Sequence, residues 1–396
     1  MKINSLEIRN FRSLGSLTLT EPGRINLLVG KNNSGKTSVL ESLRVLSSGG
    51  AIKTLLELAV EREDQVLGES TEDDRSLKNA VSGIFTDHAI DSKEIRIGDF
   101  SGPVSLSMKK VQYLYLKAEN SEVGVTGRRR ILTPDEAKQI EANESEESEV
   151  REGLDVTLGG TQAEVFRIDR AVDRLASPSF VEPKAVLASC AYVPARPNDV
   201  DELASFWDQI ALTDREPEVV NALKLIEPSI AGLTFVQASP DMEEFRRRLL
   251  NRARGGPIRL SGRRIPVVRL DGSNLRVPLK SMGDGLHRIL DVVLRLVAIQ
   301  DGFLLLDEFE NGLHFSIHDK LWELVLKIAT ERSVQVFATT HSDDCVQAFS
   351  RVSLASDESG VLYRIARPSD DERTHFVRRY SEQTLLDAEE AGVEVR

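Results

Sequence analysis

The strongest constraint on the fold is an apolar run that ends in two carboxylates. Residues 302–306 read Gly-Phe-Leu-Leu-Leu, and Asp307 and Glu308 follow at once. Such a run is typical of a parallel strand that is buried on both faces. Open α/β sheets bind their ligands at the carboxyl ends of their strands. The run therefore predicts an α/β fold with a functional site at Asp307 and Glu308.

A glycine-rich loop precedes this run by about 270 residues. Residues 30–37 fit the pattern G-x-x-x-x-G-K-[ST], between an apolar strand and an amphipathic helix. In this pattern Lys36 reaches the β and γ phosphates of a nucleotide, and Thr37 offers its hydroxyl to Mg²⁺. No Asn-Lys-x-Asp guanine element occurs, which favours ATP over GTP. The residues predicted to bind nucleotide here are Gly30, Asn32, Asn33, Ser34, Gly35, Lys36, Thr37 and Ser38.

Three further residues would make such a nucleotide site hydrolytic. Asp307 is predicted to hold Mg²⁺ together with Thr37, and Glu308 to polarise the attacking water as general base. His341 follows the next predicted strand, residues 334–339, where its side chain can reach the γ-phosphate. The predicted catalytic residues are therefore Glu308 and His341.

A second turn suited to phosphate opens another predicted helix. Residues 281–285 read Ser-Met-Gly-Asp-Gly. The Ser281 hydroxyl and the backbone N–H groups around Gly283 and Gly285 are suited to bind phosphate. One subunit already has a phosphate-binding loop, so this turn is surplus within it. We therefore expect the turn to close over the nucleotide of another subunit.

The composition limits the compartment and the partners of the chain. Two cysteines in 396 residues are too few for a disulfide framework, which predicts a reducing, cytoplasmic location. The most apolar stretch, residues 289–306, contains Arg295 and Asp301 and is too interrupted to span a membrane. A net charge of −12 argues against a whole surface that coats nucleic acid.

Two segments depart from this average charge. Residues 133–155 are acidic and poor in apolar residues, and we expect a mobile loop or a charged surface helix. The segment from Arg246 to Arg269 contains nine arginines and no acidic residue. This basic segment is either a contact surface for the phosphate backbone of DNA or a face that pairs with the protein's own acids.

We expect one discontinuous domain in three parts. Residues 1–190 would carry the N-terminal strands, the glycine-rich loop and the acidic stretch. Residues 191–265 would form a helical insertion. Residues 266–396 would carry the second phosphate turn, the carboxylates, His341 and a C-terminal cap.

These motifs resemble those of a known group of ATPases. Residues 30–37, 281–285, 304–308 and His341 resemble the Walker A, signature, Walker B and switch histidine of ABC-type ATPases. Residues 6–13 resemble the start of the SMC/RecF/OLD group, and residues 307–314 resemble its OLD-like members. The resemblance implies an α/β fold, an ABC-type P-loop NTPase head with an N-terminal antiparallel β subdomain and a helical insertion.

The same resemblance implies partners and cofactors. It implies ATP, Mg²⁺ and a head-to-tail homodimer that encloses the nucleotides, with roles in DNA processing or antiphage defence. It also implies that Arg12 contacts the nucleotide. Full-length OLD nucleases carry a TOPRIM domain after the ATPase, whereas about 55 residues follow His341 here. A nuclease is therefore expected as a separate partner protein.

Two other functions fit the same residues. One is an ATP-gated scaffold or sensor that recruits an effector protein. The other is a RecF-like DNA-repair ATPase that binds DNA directly. Exposure of the basic segment favours direct DNA binding, and internal pairing of its arginines favours the scaffold.

Overall fold

The computed structural model describes most of the chain. The described residues are 2–62, 77–116, 128–142, 150–168, 186–195, 200–238, 264–273, 275–356, 360–367 and 374–380. Their strands are β1 Ser5–Phe11, β2 Leu14–Thr20, β3 Ile25–Val29, β4 Ile95–Gly98, β5 Ser105–Leu116, β6 Arg128–Leu132, β7 Val150–Leu158, β8 Thr161–Arg167, β9 Cys190–Val193, β10 Ile230–Gln237, β11 Arg264–Leu270, β12 Arg276–Pro278, β13 Phe303–Leu306, β14 Gln335–Thr339, β15 Gly360–Ala366 and β16 Phe376–Tyr380. Their α-helices are α1 Lys36–Ser47, α2 Ile52–Glu61, α3 Leu77–Ser82, α4 Pro134–Ala142, α5 Val200–Ile210, α6 Glu216–Leu223, α7 Asp284–Ala298, α8 His318–Glu331 and α9 Asp343–Leu354.

The central sheet confirms the predicted parallel strands. Its order in the described residues is β16-β15-β3-β14-β13-β9. All neighbours pair in parallel except β15 and β16. Strand β14 lies between β3 and β13, so the carboxyl ends of these three strands meet at one edge. The glycine-rich loop, His341 and the two carboxylates each follow one of these strands.

Two hydrophobic cores cover the two faces of this sheet. The side chains of a strand alternate between faces, and those of β13 do so here. Leu304 and Leu306 pack with α7, α8 and the helices α5 and α6. Phe303 and Leu305 pack with α1 and the N-terminal strands. Burial on both faces explains why the run is apolar at every position.

The N-terminal sheet forms the second layer over α1. It is antiparallel, with the order β2-β1-β4-β5-β7-β8 and with β6 added to β5. The alternate residues Leu6 and Ile8 of β1 are fully buried, and so is Phe11 at its end. The predicted antiparallel β subdomain is therefore present, and the fold is the predicted α/β head.

The region predicted as a helical insertion combines helices with a small sheet. Helices α5 and α6 pack on α7, and β10 pairs with β11, which in turn pairs with β12. The predicted start of this insertion, residue 191, falls inside β9, which is a strand of the central sheet. A local apolar pattern cannot show that β9 pairs with β13, because the two strands are more than a hundred residues apart in the sequence.

The acidic stretch 133–155 is ordered in its described part. It begins with α4, which Thr133 and Glu136 cap reciprocally: the Thr133 N–H donates to Glu136 Oε2 at 2.9 Å, and the Glu136 N–H donates to Thr133 Oγ1 at 3.3 Å. From residue 150 the chain continues as β7, whereas residues 143–149 lie outside the described part. None of the described helices combines the length and apolar character that a bilayer crossing needs.

Candidate nucleotide-binding site

The loop between β3 and α1 wraps around the ammonium group of Lys36. Lys36 Nζ donates hydrogen bonds to the carbonyl oxygens of Gly30 at 2.7 Å and Lys31 at 3.0 Å. A Cβ atom on Gly30 would lie 2.2 Å from the carbonyl oxygen of Ile365, so the turn requires glycine. Gly35 caps α1 with a φ of 95°. The positive end of the α1 dipole therefore faces this loop, where it favours an anion.

A cavity of about 260 Å³ lies between this loop and the carboxyl ends of β13 and β14. It brings the glycine-rich loop together with residues 270 positions later in the chain. Burial lowers the pKa of Lys36, and the nearby carboxylates oppose that shift. The cavity is lined by Ser13, Asn32, Asn33, Ser34, Gly35, Lys36, Thr37, Ser38, Arg62, Asp307, Glu308, Thr339 and His341.

Asp307 and Thr37 form an oxygen-rich corner of this cavity. The Thr37 hydroxyl donates to the Asp307 carboxylate, with oxygen–oxygen distances of 3.2 and 3.4 Å. The Thr339 hydroxyl donates to Asp307 Oδ1 at 2.7 Å and fixes the orientation of the carboxylate. Hydroxyl and carboxylate oxygens are the ligands that Mg²⁺ prefers. The donor set at this corner therefore fits the predicted metal ion.

Glu308 is held in an uncommon backbone conformation. Its φ is 49°, in the left-handed region that costs a non-glycine residue on the order of 1–3 kcal/mol. Its N–H donates to the Thr339 hydroxyl at 2.8 Å, and its carbonyl oxygen accepts from Arg288 at 2.8 Å. The carboxylate lines the cavity. Strain that neighbouring residues maintain in this way is common at catalytic positions.

The backbone of His341 is tied to the loop that follows the carboxylates. Its N–H donates to Glu310 Oε1 at 2.8 Å, and the Thr340 hydroxyl donates to Glu310 Oε2 at 2.7 Å. Both oxygens of one carboxylate thus hold the end of β14. His341 lines the cavity beside Glu308, as its position after β14 predicts.

The turn at Ser281 lies outside this cavity. Residues 279–282 form a short 3₁₀ helix, and Gly283 is the N-cap of α7. Ser281 and Gly283 are exposed, and the Ser281 hydroxyl donates to the carbonyl oxygen of Pro278 at 2.7 Å. Gly285 contacts Gly312 of the loop after the carboxylates. The turn is therefore a surface feature of the chain, separate from its own glycine-rich loop.

Arg12 points into the protein and does not line the cavity. Its guanidinium donates to the carbonyl oxygens of Gly83 at 3.0 Å and Leu58 at 2.9 Å, and it lies 3.3 Å from the Glu41 carboxylate. Arg62 lines the cavity instead and bonds the other oxygen of Glu41 at 2.8 Å. A nucleotide contact by Arg12 stays a prediction.

Several residues of the site were not predicted from the sequence. Thr339 is a polar residue at the end of an apolar strand, and this polarity is the one sequence signal that could have marked it as a site residue. Glu310 gives no signal because its two bonds go to a segment thirty residues away. Arg288 gives none either, since α7 is buried nearly all round and the spacing of its apolar residues cannot identify a buried arginine.

The basic segment is described only at its end. Arg264 bonds Asp208 at 2.5 Å, and Arg269 is exposed. The arginines at 246, 247, 248, 252, 254, 259 and 263 lie outside the described residues. One of the two described arginines is therefore paired within the protein.

A larger cleft, of about 530 Å³, lies beside β9 and the end of α1. Arg44 covers the Tyr192 ring there at 4.4 Å and bonds Glu61. None of the predicted nucleotide residues lines this cleft. Size alone therefore does not select the candidate site. The smaller cavity is the candidate because it brings together the residues that the sequence predicts to bind phosphate and Mg²⁺.

Comparisons with known proteins agree with this geometry. Residues 1–160 match the family described as AAA ATPase domain. Residues 214–344 match an AAA domain family whose description names the AbiEii toxin and Type IV TA systems. The chain is a P-loop ATPase. A Helicobacter pylori protein named ATP/GTP phosphatase is 22% identical to this ATPase over 94% of the chain and 95% of its own length.

Shorter matches connect the ATPase with DNA repair proteins. The DNA replication and repair protein RecF of Clostridioides difficile is 48% identical over 14% of the chain and 15% of its own length. Among solved structures, an SMC head bound to the C-winged helix domain of ScpA covers 98% of the chain at 12% identity and a TM-score of 0.49. An SMC head domain from Thermotoga maritima gives a TM-score of 0.41 at 12% identity.

Replacing Lys36 tests the nucleotide site. Lys36→Ala removes the ammonium group that would neutralise the β and γ phosphates, and we expect ATP affinity to fall by roughly 100-fold, as for the loss of charge-assisted hydrogen bonds. Isothermal titration with ATP and Mg²⁺ measures the affinity. The matched control is Lys31→Ala, which removes an exposed lysine of the same loop. Equal affinity of the wild type and Lys36→Ala would place the nucleotide elsewhere.

Proposed function

We propose that this ATPase forms a dimer that encloses two ATP molecules and controls a separate DNA-acting protein. The observation that supports the proposal most strongly is a division within the chain. The glycine-rich loop, Asp307, Glu308 and His341 share one cavity, whereas the Ser281 turn lies on the surface outside it. A second copy that brings its Ser281 turn to this cavity would complete the site.

Each residue of the cavity has a role in the proposed hydrolysis. Lys36 and the start of α1 bind the β and γ phosphates. Thr37 and Asp307 would hold Mg²⁺, which when bound supplies positive charge against the phosphate oxygens. Glu308 accepts a proton from the attacking water, and His341 contacts the γ-phosphate oxygens.

The role of Glu308 is tested by an isosteric change. Glu308→Gln keeps the shape of the side chain but cannot accept the proton, so we expect hydrolysis to slow by roughly 10²–10⁴-fold while ATP binding is retained. A phosphate-release assay and a binding titration measure the two effects. Glu323→Gln, which changes an exposed glutamate of α8, is the control. Hydrolysis at the wild-type rate by Glu308→Gln would assign the base to another residue.

The surface around the Ser281 turn supports the dimer. The exposed Phe315 lies in the segment after the carboxylates, and the His314 ring lies tilted against it with 4.3 Å between ring centroids. This segment contacts the turn through Gly312 and Gly285. The exposed turn therefore lies beside the segment that carries this aromatic pair. This surface is suited to cover the nucleotide of a second copy.

Ser281→Arg tests the shared site. The change puts a bulky cation on the exposed turn and leaves the glycine-rich loop intact. We expect a variant that binds ATP as a monomer, and that neither dimerises on ATP addition nor hydrolyses ATP. Multi-angle light scattering with and without ATP, on the Glu308→Gln background, measures dimerisation. Ser92→Arg, on an exposed position of the N-terminal layer, is the control.

The outcome for the Ser281 variant separates two arrangements. Loss of dimerisation with retained ATP binding is the result expected for a turn that serves the other subunit. If Ser281→Arg dimerises and hydrolyses ATP as well as Ser92→Arg does, the turn plays no part in the site.

The nature of the partner rests on the comparisons and on charge. The RecF matches support a role in DNA processing. A nuclease or another effector as the controlled protein, and a role in antiphage defence, stay predictions from the sequence. Of the two described arginines of the basic segment, Arg264 is paired with Asp208 within the protein and Arg269 is exposed. Direct binding through the other arginines stays a prediction.

A further inference from the structure

A buried arginine connects α7 to the backbone of the catalytic carboxylates. Arg288 lies one helical turn into α7 and is 7% exposed. Its guanidinium donates to the carbonyl oxygens of Pro194 at 2.6 Å, Asp307 at 2.6 Å and Glu308 at 2.8 Å. Pro194 follows β9, and the other two residues follow β13. One side chain thus joins the ends of two adjacent strands to the helix.

Packing alone does not account for a charge at this position. Removing an ion from water costs several kcal/mol even after relaxation, and an apolar side chain of similar volume would fill the space without that cost. The arginine supplies instead several donors in a fixed planar arrangement, which an apolar residue cannot do. Its hydrogen bonds reach the peptide groups on both sides of the Glu308 Cα.

The bonds act on the strained residue of the site. Glu308 has a φ of 49°, and its N–H is held by the Thr339 hydroxyl. Arg288 holds the carbonyl oxygen of the same residue. The two bonds fix the peptide groups on either side of the Glu308 Cα, and so fix the direction in which its carboxylate leaves the backbone.

The start of the same helix contacts the loop that follows. A Cβ atom on Gly285 would lie 3.1 Å from the carbonyl oxygen of Gly312, and a Cβ on Gly312 would lie 3.7 Å from Cβ of Asp284. The Ser281 turn, the first turn of α7 and residues 307–312 are therefore packed as one unit.

We propose that Arg288 is a positioning residue that couples the Ser281 turn to Glu308 of the same chain. The inference rests on the proposed function, in which the turn contacts a partner's nucleotide and Glu308 is the general base. A turn held by the partner's nucleotide keeps α7 in place, and Arg288 then directs the Glu308 carboxylate toward the attacking water. Each chain thereby links the partner's nucleotide site, which its Ser281 turn completes, to its own site, where its Glu308 acts in ATP hydrolysis.

Two substitutions of Arg288 test the role. Arg288→Met keeps the apolar stem and removes every donor, and we expect kcat to fall about 10²-fold, the effect of a misplacement of about 1 Å. Arg288→Lys keeps the charge and donors without the planar fork, and we expect a loss of about 10-fold. The KM for ATP and the ATP-dependent dimer should stay as in the wild type. A purely structural role would not lower kcat while leaving KM unchanged.

Arg295→Met is the matched control. Arg295 lies two turns later on the same helix, is 3% exposed, and bonds Asp291 and Glu202 rather than the catalytic backbone. Its loss should lower the melting temperature and leave kcat unchanged. If Arg288→Met does not fold, Arg288→Lys decides: a wild-type kcat in the lysine variant overturns the proposal.

A double-mutant cycle with Glu308→Gln identifies the residue through which Arg288 acts. If Arg288 acts through Glu308, the variant with both changes hydrolyses ATP at the rate of Glu308→Gln alone. If the two changes instead reduce the hydrolysis rate by the product of their separate effects, Arg288 acts independently of Glu308 and the proposal is overturned. Failure of the proposed function is recognised separately, because then the wild type does not dimerise on ATP or Glu308→Gln retains normal hydrolysis.

Discussion

The hydrogen bonds of Thr339 hold the site together. Its hydroxyl donates to Asp307 at 2.7 Å and accepts from the Glu308 N–H at 2.8 Å, while Asp307 accepts from Thr37 of the glycine-rich loop. These contacts exist because β14 lies between β3 and β13 in a parallel sheet. Parallel neighbours place their carboxyl ends at one edge, so three distant segments can present short polar side chains to each other. The proposed phosphate binding, metal binding and proton transfer all depend on this edge.

The layers on each side of the sheet position different parts of the site. One core holds α1 between the central sheet and the N-terminal strands, which orients the helix dipole toward the glycine-rich loop. The other core holds α7 and α8, which carry Arg288 and support the loop after the carboxylates. We therefore expect substitutions in the second core to affect the position of Glu308 more than that of Lys36.

Sequence patterns predicted the parts of the site that depend on local chemistry. The glycine-rich loop, the apolar strand before Asp307 and the position of His341 follow from residue type and spacing. The loop, the carboxylates that follow the strand, and His341 line one cavity. Contacts between distant segments gave no such signal. Glu310 reaches across thirty residues to His341, and Arg288 is hidden in a helix whose other faces are also buried. The pairing of β9 with β13 likewise depends on the whole sheet rather than on a local pattern.

The central claim is that the Ser281 turn of one chain closes the nucleotide cavity of another. The most direct measurement is crosslinking between thiols placed at Ser281 and at Asn33, an exposed residue that lines the cavity. On the Glu308→Gln background, Ser281→Cys and Asn33→Cys chains are mixed with a short bifunctional thiol reagent, with and without ATP and Mg²⁺. The account predicts a covalent dimer that needs both cysteines and forms only with ATP. Absence of that dimer while both variants bind ATP, or equal crosslinking without ATP, would contradict it.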